Sequence, residues 1–252
     1  MTIEHEQNDG EGRPCVLLAV DRDAFHQSAA AVAAAVAAAL RADVVTVEVG
    51  RGGDTAHTMP HTPAATILNA AEDLRPALIV LPSSAPSRLH TLLAGSVTYD
   101  VIHQATCPVL LVPIDRGALQ STDDLLTKIV LAVDASTEPK RAVRAIARIA
   151  KPGAEVVVLH VHEIDRTEAY AIDDRIESVV AELQAVGFRV GVIKSHALPH
   201  AVADDIAEVA REVGAGMLVV GSGNRSLLAI LTDGGVSGDV PRQAPCPVLV
   251  ER

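Results

Sequence analysis

The sequence predicts an α/β protein made of two similar modules, each an open parallel sheet covered by helices. Short apolar runs of strand length alternate with helical patterns along the chain, and this alternation is typical of parallel sheets. The run at residues 15–21 recurs at 128–134, and both copies end in an aspartate. A closing pattern also recurs, in which a glycine precedes the cysteine of a Cys-Pro-Val-Leu strand by 12 residues. Because both similarities keep their order, we interpret the chain as a tandem duplication.

The second copy alternates strands and helices in a regular order. Apolar residues at helical spacing define its helices, and Pro152-Gly153 and Gly187 end two of them. The predicted strands are residues 128–134, 154–161, 188–194, 216–220 and 247–250. The predicted helices are residues 139–150, 167–186, a helix from Pro199 to near Gly214, and a short helix after the glycine-rich segment 221–235.

The first copy follows the same order but is shorter. The opening aspartates lie 113 positions apart, whereas the closing glycines lie 139 apart. Most of the difference falls after the strand at 44–49, where only residues 50–61 precede the helix that starts at Pro63. We therefore expect the first module to lack a helix and to have a short or absent third strand.

Length and composition fit two domains and exclude several partners. We expect a disordered leader at 1–13, modules at 14–113 and 127–252, and a linker at 114–126. The net charge of −11 argues against a nucleic-acid duplex or an anionic membrane as partner. Aromatic residues make up only 2% of the chain, which argues against base stacking on single strands. No apolar run reaches the length of a membrane span, so we expect a cytoplasmic protein.

Three cysteines, Cys15, Cys107 and Cys246, each begin a predicted strand. An odd number without a secretory signal indicates reduced thiols. Cys107 and Cys246 are alternatively redox sensors, but no basic neighbour in the sequence would lower the pKa of either thiol. We therefore expect them to pack in the core.

Three segments of the second copy follow strands and are predicted to line one crevice. They are Asp134, Val161-His162 and the segment Gly221-Ser222-Gly223-Asn224. Ligands of open parallel sheets bind beyond the carboxyl ends of the strands, where the winding reverses. Gly234-Gly235-Val236-Ser237 then opens a helix, whose unpaired N–H groups favour phosphate. This spacing indicates a nucleotide site.

These motifs together resemble the universal stress protein family in tandem form, over about residues 14–113 and 127–251. The resemblance rests on a Gly-x-x-Gly motif, which is followed after nine residues by Gly-Ser/Thr and then by a Cys-Pro-Val-Leu-Val strand. An early Val-Asp pair and a strand that ends in Leu-His-Val complete the pattern. The resemblance implies five-stranded, Rossmann-like sheets of the adenine nucleotide alpha hydrolase-like type, which often bind ATP, with or without Mg²⁺, and without strong turnover. It also implies dimerisation through the last strand. In a tandem chain the two last strands can pair with each other as an internal pseudo-dimer, and two chains can associate further.

The second copy departs from the family pattern around the predicted phosphate site. Asn224 replaces a glycine at a cost of about 1 kcal/mol, since Asn tolerates left-handed backbone. Gly235 replaces a hydroxyl residue, whose contact with phosphate would contribute roughly 1.5–3 kcal/mol. Asp233 adds a carboxylate nearby, and Pro241 is expected to shorten or kink the final helix.

The first copy keeps Gly95-Ser96-Val97-Thr98, but Pro82 and Ala85 replace its two upstream glycines. Proline has no N–H to donate to phosphate. We therefore expect nucleotide in the second module. The full candidate set is Asp134, Val161, Gly221, Gly223, Asn224, Gly234, Gly235, Val236 and Ser237, with a weaker set of Asp21, Gly95, Ser96, Val97 and Thr98 in the first module.

Simpler roles remain open for several of these residues. Asp21 and Asp134 are also suited to cap the following helices, whereas the resemblance implies that Asp134 hydrogen-bonds the adenine. The pairs His160/His162 and His196/His200 suggest a metal, but no cysteine or carboxylate completes a tetrahedral set, and we expect none.

The favoured function is a stress-response regulator that binds ATP or a related adenine nucleotide in its second module. No nucleophile–base pair is visible, so we do not expect an enzyme. The alternative is a nucleotide-free scaffold of the same fold that acts through protein–protein contacts. An ATP hydrolase or kinase-like enzyme is a weaker third hypothesis.

Overall fold

The computed structural model describes residues 13–21, 27–49, 62–83, 96–113, 124–134, 137–163, 169–198, 201–221 and 244–251. Strands and helices alternate through the first half of the chain. In order they are β1 (Cys15–Asp21), α1 (Gln27–Leu40), β2 (Asp43–Val49), α2 (Pro63–Leu74), β3 (Leu78–Ser83), α3 (Ser96–Gln104) and β4 (Val109–Pro113).

A 3-10 helix, Asp124–Leu126, leads into the second half. Its elements are β5 (Lys128–Ala132), α4 (Pro139–Ile149), β6 (Glu155–Glu163), α5 (Ala169–Val186), β7 (Arg189–Ala197), α6 (Val202–Glu212), β8 (Met217–Gly221) and β9 (Val248–Glu251). The largest differences from the predicted strands are that β5 ends two residues earlier, β6 extends two residues further and β7 extends three residues further. Residues 199–200, where the next helix was predicted to begin, lie outside the described residues, and α6 begins at Val202.

All nine described strands belong to one continuous sheet, in the order β2-β1-β3-β4-β9-β8-β5-β6-β7. Neighbouring strands are parallel except at the centre, where β4 and β9 are antiparallel and Val109 faces Val250. The two closing strands therefore pair with each other, as the sequence predicts for an internal pseudo-dimer. The α/β class with parallel sheets is confirmed, although the two halves share one sheet.

The two halves contribute unequal parts of this sheet. The first half supplies four described strands and the second supplies five. Between β2 and α2 the structure describes no counterpart of α5 and β7, although residues 50–61 of that connection lie outside the described residues. This agrees with the prediction that the first copy is trimmed.

Helices cover both faces of the sheet and bury an aliphatic core on each side. On one face lie α2, α3 and α6, with side chains such as Ile67, Ile102 and Ile206 in the core. On the other lie α1, α4 and α5, with Val32, Ile146 and Val179 in the core. Burial on both faces explains why the central strands read as continuous apolar runs.

Local sequence features fix where the helices begin and end. Thr62 precedes Pro63 and accepts a hydrogen bond from the Ala65 N–H at 3.2 Å, so α2 starts with a capped first turn. Gly187 follows α5 with φ of 97°, a left-handed conformation that glycine adopts without a steric penalty. The chain can therefore turn directly into β7.

Candidate functional site

The predicted crevice lies at the carboxyl ends of β5 and β8. In the second half the chain winds from β5 to β6 and β7 on one side, then returns to β8 on the other side of β5. Ala132 near the end of β5 is level with Leu159 of β6 and Val220 of β8. The winding thus reverses between β5 and β8, which is where ligands of open α/β sheets bind.

Asp134 lies just beyond β5 in a turn closed by Thr137. The Asp134 N–H donates to Thr137 Oγ1 at 3.0 Å, and that hydroxyl lies 3.2 Å from Asp134 Oδ1, to which it donates. The Thr137 N–H donates to the Asp134 carbonyl at 3.1 Å. These three bonds fix both the backbone and the carboxylate of Asp134 at the edge of the crevice.

The possibility that Asp134 caps the next helix is wrong. Glu138 is the N-cap of α4, and its carboxylate accepts hydrogen bonds from the N–H groups of Lys140 at 3.2 Å and Arg141 at 2.6 Å. Since Glu138 satisfies the first turn, Asp134 is not needed there. Asp21 occupies the corresponding position in the first half, as the buried last residue of β1, and the segment that precedes α1 lies outside the described residues.

Arg175 of α5 supports the turn that contains Asp134 and Thr137. Its Nη1 donates to the Thr137 carbonyl, and its Nε is buried with no partner among the described residues. Helix α5 is itself tied to β7, because Lys194 Nζ contacts Asp173 Oδ1 at 2.8 Å. The hydrogen bond and charge of Lys194 hold the pKa of Asp173 below its usual value. Thr137 and Arg175 are absent from the sequence-based set of site residues.

His160 adds a second support beneath the same turn. Its Nδ1 lies 2.9 Å from the Val133 carbonyl, and because a carbonyl only accepts, Nδ1 carries the proton. Its Nε2 is buried and has no partner among the described residues. Val133 in turn donates its N–H to the Leu159 carbonyl at 2.8 Å. His160 therefore supports the backbone just before Asp134.

Val161 presents backbone groups to the crevice. The prediction that it follows the second strand is wrong, because β6 continues to Glu163 in register with β7. Since the Leu159 carbonyl points towards β5, the N–H and C=O groups of Val161, two residues on, point the same way. At that level β5 has already ended, so these two groups face the space beside Asp134. The buried Val161 side chain packs in the core.

Gly221 forms the opposite wall, as the last residue of β8 and the partner of Glu251 in β9. A Cβ atom at Gly221 would meet no atom of the described residues within 4 Å. The rest of the predicted phosphate site, Gly223, Asn224 and Gly234-Gly235-Val236-Ser237, lies outside the described residues, as do Asp233 and Pro241.

The first half places its weaker candidates at the matching edge. Ser96 is the first residue of α3, and Val97 and Thr98 follow in its first turn with both side chains buried. Gly95 and Ala85 lie outside the described residues. Pro82 is buried within β3, level with Val112 of β4, at the strand position that matches Gly221 of β8.

The remaining candidates from the sequence are the histidine pairs and the cysteines. The described residues contain no group of three side chains able to hold a metal ion, and His200 lies outside them. The rings of His162 and His196 meet edge to face, with centroids 5.4 Å apart. Burial raises the pKa of the Cys246 thiol to about 12, and Cys246 packs in the core. No described helix is both long enough and apolar enough to span a membrane.

An open, doubly wound sheet with a crevice at the reversal of winding defines a Rossmann-like α/β protein. Comparison with protein families gives the universal stress protein family, whose model matches residues 53–113 and 126–252. The chain therefore belongs to the universal stress protein family, with two matching regions in tandem. Comparison with curated proteins gives no match.

One solved structure supports the same fold over almost the whole chain. A universal stress protein from Archaeoglobus fulgidus DSM 4304 is 19% identical with a TM-score of 0.62, and the match covers 93% of this chain and 95% of that one. A universal stress protein from Archaeoglobus fulgidus in complex with dAMP is 24% identical with a TM-score of 0.36, over 51% of this chain and 99% of that one. A third, in complex with cAMP, is 24% identical with a TM-score of 0.36, over 50% of this chain and 96% of that one.

Proposed function

We propose that the second half of the chain binds ATP or a related adenine nucleotide at the carboxyl ends of β5, β6 and β8. The protein would act as a cytoplasmic stress-response regulator rather than as an enzyme. The first half would serve mainly as a structural partner through the β4–β9 pairing. Membership in the universal stress protein family supports this reading of the motifs.

The observation that carries the proposal is the backbone of Val161. A donor and an acceptor, side by side and beyond the end of β5, match the alternating acceptor and donor on the edge of an adenine ring. The Asp134 carboxylate lies next to them in a turn fixed by Thr137 and Arg175. Because these groups are already fixed, little ordering cost opposes binding.

The phosphates would extend from this adenine position across Gly221 towards the glycine-rich segments. The residues assigned to them are Gly223, Asn224, Gly234, Gly235, Val236 and Ser237. If ATP is the ligand, Mg²⁺ would neutralise part of the phosphate charge. Binding at this edge would favour one packing of the two halves, or of the protein with a partner, over another. Such a shift requires different nucleotide affinities in the two states.

Thermal unfolding of the full chain with and without ligand tests the proposal. ATP-Mg²⁺ is the main ligand, and dAMP and cAMP are tested because the related structures contain them. A ligand at 100 times its dissociation constant should stabilise the protein by about 2.7 kcal/mol. If none of the three moves the unfolding transition, the nucleotide-free scaffold is the better account.

A pair of matched variants locates the phosphates. Gly235→Asp adds a negative charge where the second half would hold an anion, and it should abolish the nucleotide effect while leaving the fold intact. Ser96→Asp makes a comparable change at the helix start of the first half and should leave the effect in place. Equal nucleotide affinity in Gly235→Asp and the parent would show that the phosphates do not bind at this position.

A further inference from the structure

A cavity of about 300 Å³ lies where the two halves meet, on the face of the sheet covered by α1 and α4. From the first half it is lined by uncharged residues, Leu40 of α1, Leu78 of β3 and Pro108 before β4. From the second half it is lined by α4 and β9. The antiparallel join creates this seam, because it brings the amino end of β4 beside the carboxyl end of β9.

Three arginines of α4 line one side of this cavity. Arg141, Arg144 and Arg148 follow one another at spacings of three and four residues, so they lie on one side of the helix. All three are exposed to solvent, and Arg144 Nε donates to the Lys140 carbonyl at 3.2 Å. The cavity wall therefore presents a row of guanidinium groups.

Glu251, the last residue of β9, lies opposite this row. Its side chain is half-buried, and its Oε2 is buried with no hydrogen-bond partner among the described residues. Burial raises the pKa of Glu251, and the charges of Arg141, Arg148 and Arg144 oppose this rise only in part. A carboxyl group that keeps its proton more readily than usual can donate a hydrogen bond to an anion.

We propose that this seam is a second ligand site, which binds a small organic anion with an apolar body. Arg141, Arg144 and Arg148 would hold the anionic head, and the buried Oε2 edge of Glu251 would complete its hydrogen bonds. Leu40, Leu78 and Leu249 provide apolar walls for the rest of the molecule. A ligand here contacts both halves at once.

The duplication offers a comparison that argues against a purely structural role. At the offset of 113 positions, the three arginines correspond to Ser28, Ala31 and Ala35 of α1. Four of the five buried residues of α1 occupy the positions of buried residues in α4. At the offset of 139, Glu251 corresponds to Val112, which is fully buried. The fold is thus compatible with uncharged residues at these positions. The charged residues of the second half are therefore not required by the fold, and we assign them to the cavity that they line.

Isothermal titration with naphthalene-1-sulfonate tests the site, since this probe is anionic at every working pH and carries an apolar body. The triple variant Arg141→Ser, Arg144→Ala, Arg148→Ala introduces the residues of the first half and should weaken binding at least about 100-fold. Arg144→Ala alone should weaken binding about tenfold, because the loss of one charge-assisted hydrogen bond lowers an affinity by about that factor. The neutral naphthalene-1-sulfonamide should bind far more weakly than the sulfonate.

Two controls separate this site from others. Arg211→Ala removes an exposed arginine from α6, on the other face of the sheet, and should leave the affinity for the probe unchanged. Saturating AMP should not displace the probe, so failure of the nucleotide proposal would leave this result intact. Circular dichroism confirms that each variant is folded, and Arg144→Ala decides the test if the triple variant is not. Equal affinity in parent and folded variant, displacement by AMP, or no binding to the parent would overturn the proposal.

The role of Glu251 gives a pH dependence of its own. Among the described residues, the charged groups that face it are the three arginines of α4, and the cavity residues from α1, β3 and β4 carry no charge. Because burial raises the pKa of Glu251, its carboxyl group gains a proton at a higher pH than an exposed glutamate does. The protonated group no longer repels the anion, so the affinity should rise as the pH falls. Glu251→Gln should bind tightly throughout with a flat profile. A flat profile in the parent would contradict this role of Glu251.

Discussion

The two halves of the chain share one backbone plan but differ in the side chains at its edges. In each half the first strand lies between the second strand and the strand that follows the crossover, and the closing strand lies at the centre of the sheet. The central strands are buried and aliphatic in both. Among the described residues of the second half, charged and hydrogen-bonding groups gather around Asp134 and around Glu251, where the first half has Asp21 and Val112 at the matching positions. Duplication therefore preserved the core while the surfaces near the strand ends diverged.

A close contact in the second half gives the largest expected effect. A Cβ atom at Gly216 would lie 2.0 Å from the backbone oxygen of Asp124 in the 3-10 helix. Gly216→Ala should therefore destabilise the protein by about 3 kcal/mol or more, since backbone rather than a mobile side chain must move. The first half has Ala77 at the matching position, and Ala77→Gly should cost only about 0.5–1 kcal/mol. Urea unfolding of both variants measures the difference, and equal losses would contradict this account of the linker contact.

Arg175 tests whether α5 matters to the site as well as to the core. Arg175→Met keeps most of the apolar volume but removes the hydrogen bond to the Thr137 carbonyl. We expect nucleotide affinity to fall about tenfold, because the Asp134 turn loses its support. Arg189 also donates to a backbone carbonyl, that of Gly153 at 3.2 Å, but does so away from the crevice. Titration calorimetry should show unchanged affinity in Arg189→Met, and equal losses in both variants would point to a general effect of removing an arginine.

The matched cysteines Cys107 and Cys246 give the smallest expected effect, a difference in thiol reactivity with no change in nucleotide binding. Cys246 is buried, and burial raises the pKa of its thiol to about 12, so about one molecule in ten thousand carries the thiolate at pH 8. Cys107, at the same place in the first half, is half-buried. Iodoacetamide at pH 8 should modify Cys107 first and Cys246 only on unfolding. Peptide mass spectrometry reads the order, and early modification of Cys246 would contradict its burial.

The fold was predictable because its signals are repeated and local. Apolar runs ending in Asp21 and Asp134 mark the first strand of each half, and both strands begin where predicted, although β5 ends two residues before Asp134. The family resemblance that the shared Cys-Pro-Val-Leu pattern helps to carry implied that the two closing strands can pair, as β4 and β9 do. The shortened connection before Pro63 likewise indicated a smaller first half. Patterns of this kind depend on spacing along the chain, and a single sequence records spacing directly.

The parts of the site that were missed depend on contacts between distant residues. Arg175 and Thr137 lie 38 positions apart, and nothing in either neighbourhood indicates that they meet. The role of Val161 depends on β5 ending before β6, a difference in strand length that hydrophobic patterns do not resolve. In the sequence, the arginines of α4 are typical of an exposed helix face. Only the antiparallel pairing of β4 and β9 places Glu251 opposite them. Three-dimensional neighbours, rather than residue types, decide these roles.

The central claim is that the two halves differ in function, with nucleotide bound by the second alone. Equilibrium dialysis with labelled ATP and Mg²⁺ tests it directly, using the parent, Asp134→Ala and the matched Asp21→Ala. The account predicts one ATP per chain in the parent and in Asp21→Ala, and a loss of binding in folded Asp134→Ala. Two nucleotides per chain, or undiminished binding in Asp134→Ala, would contradict it.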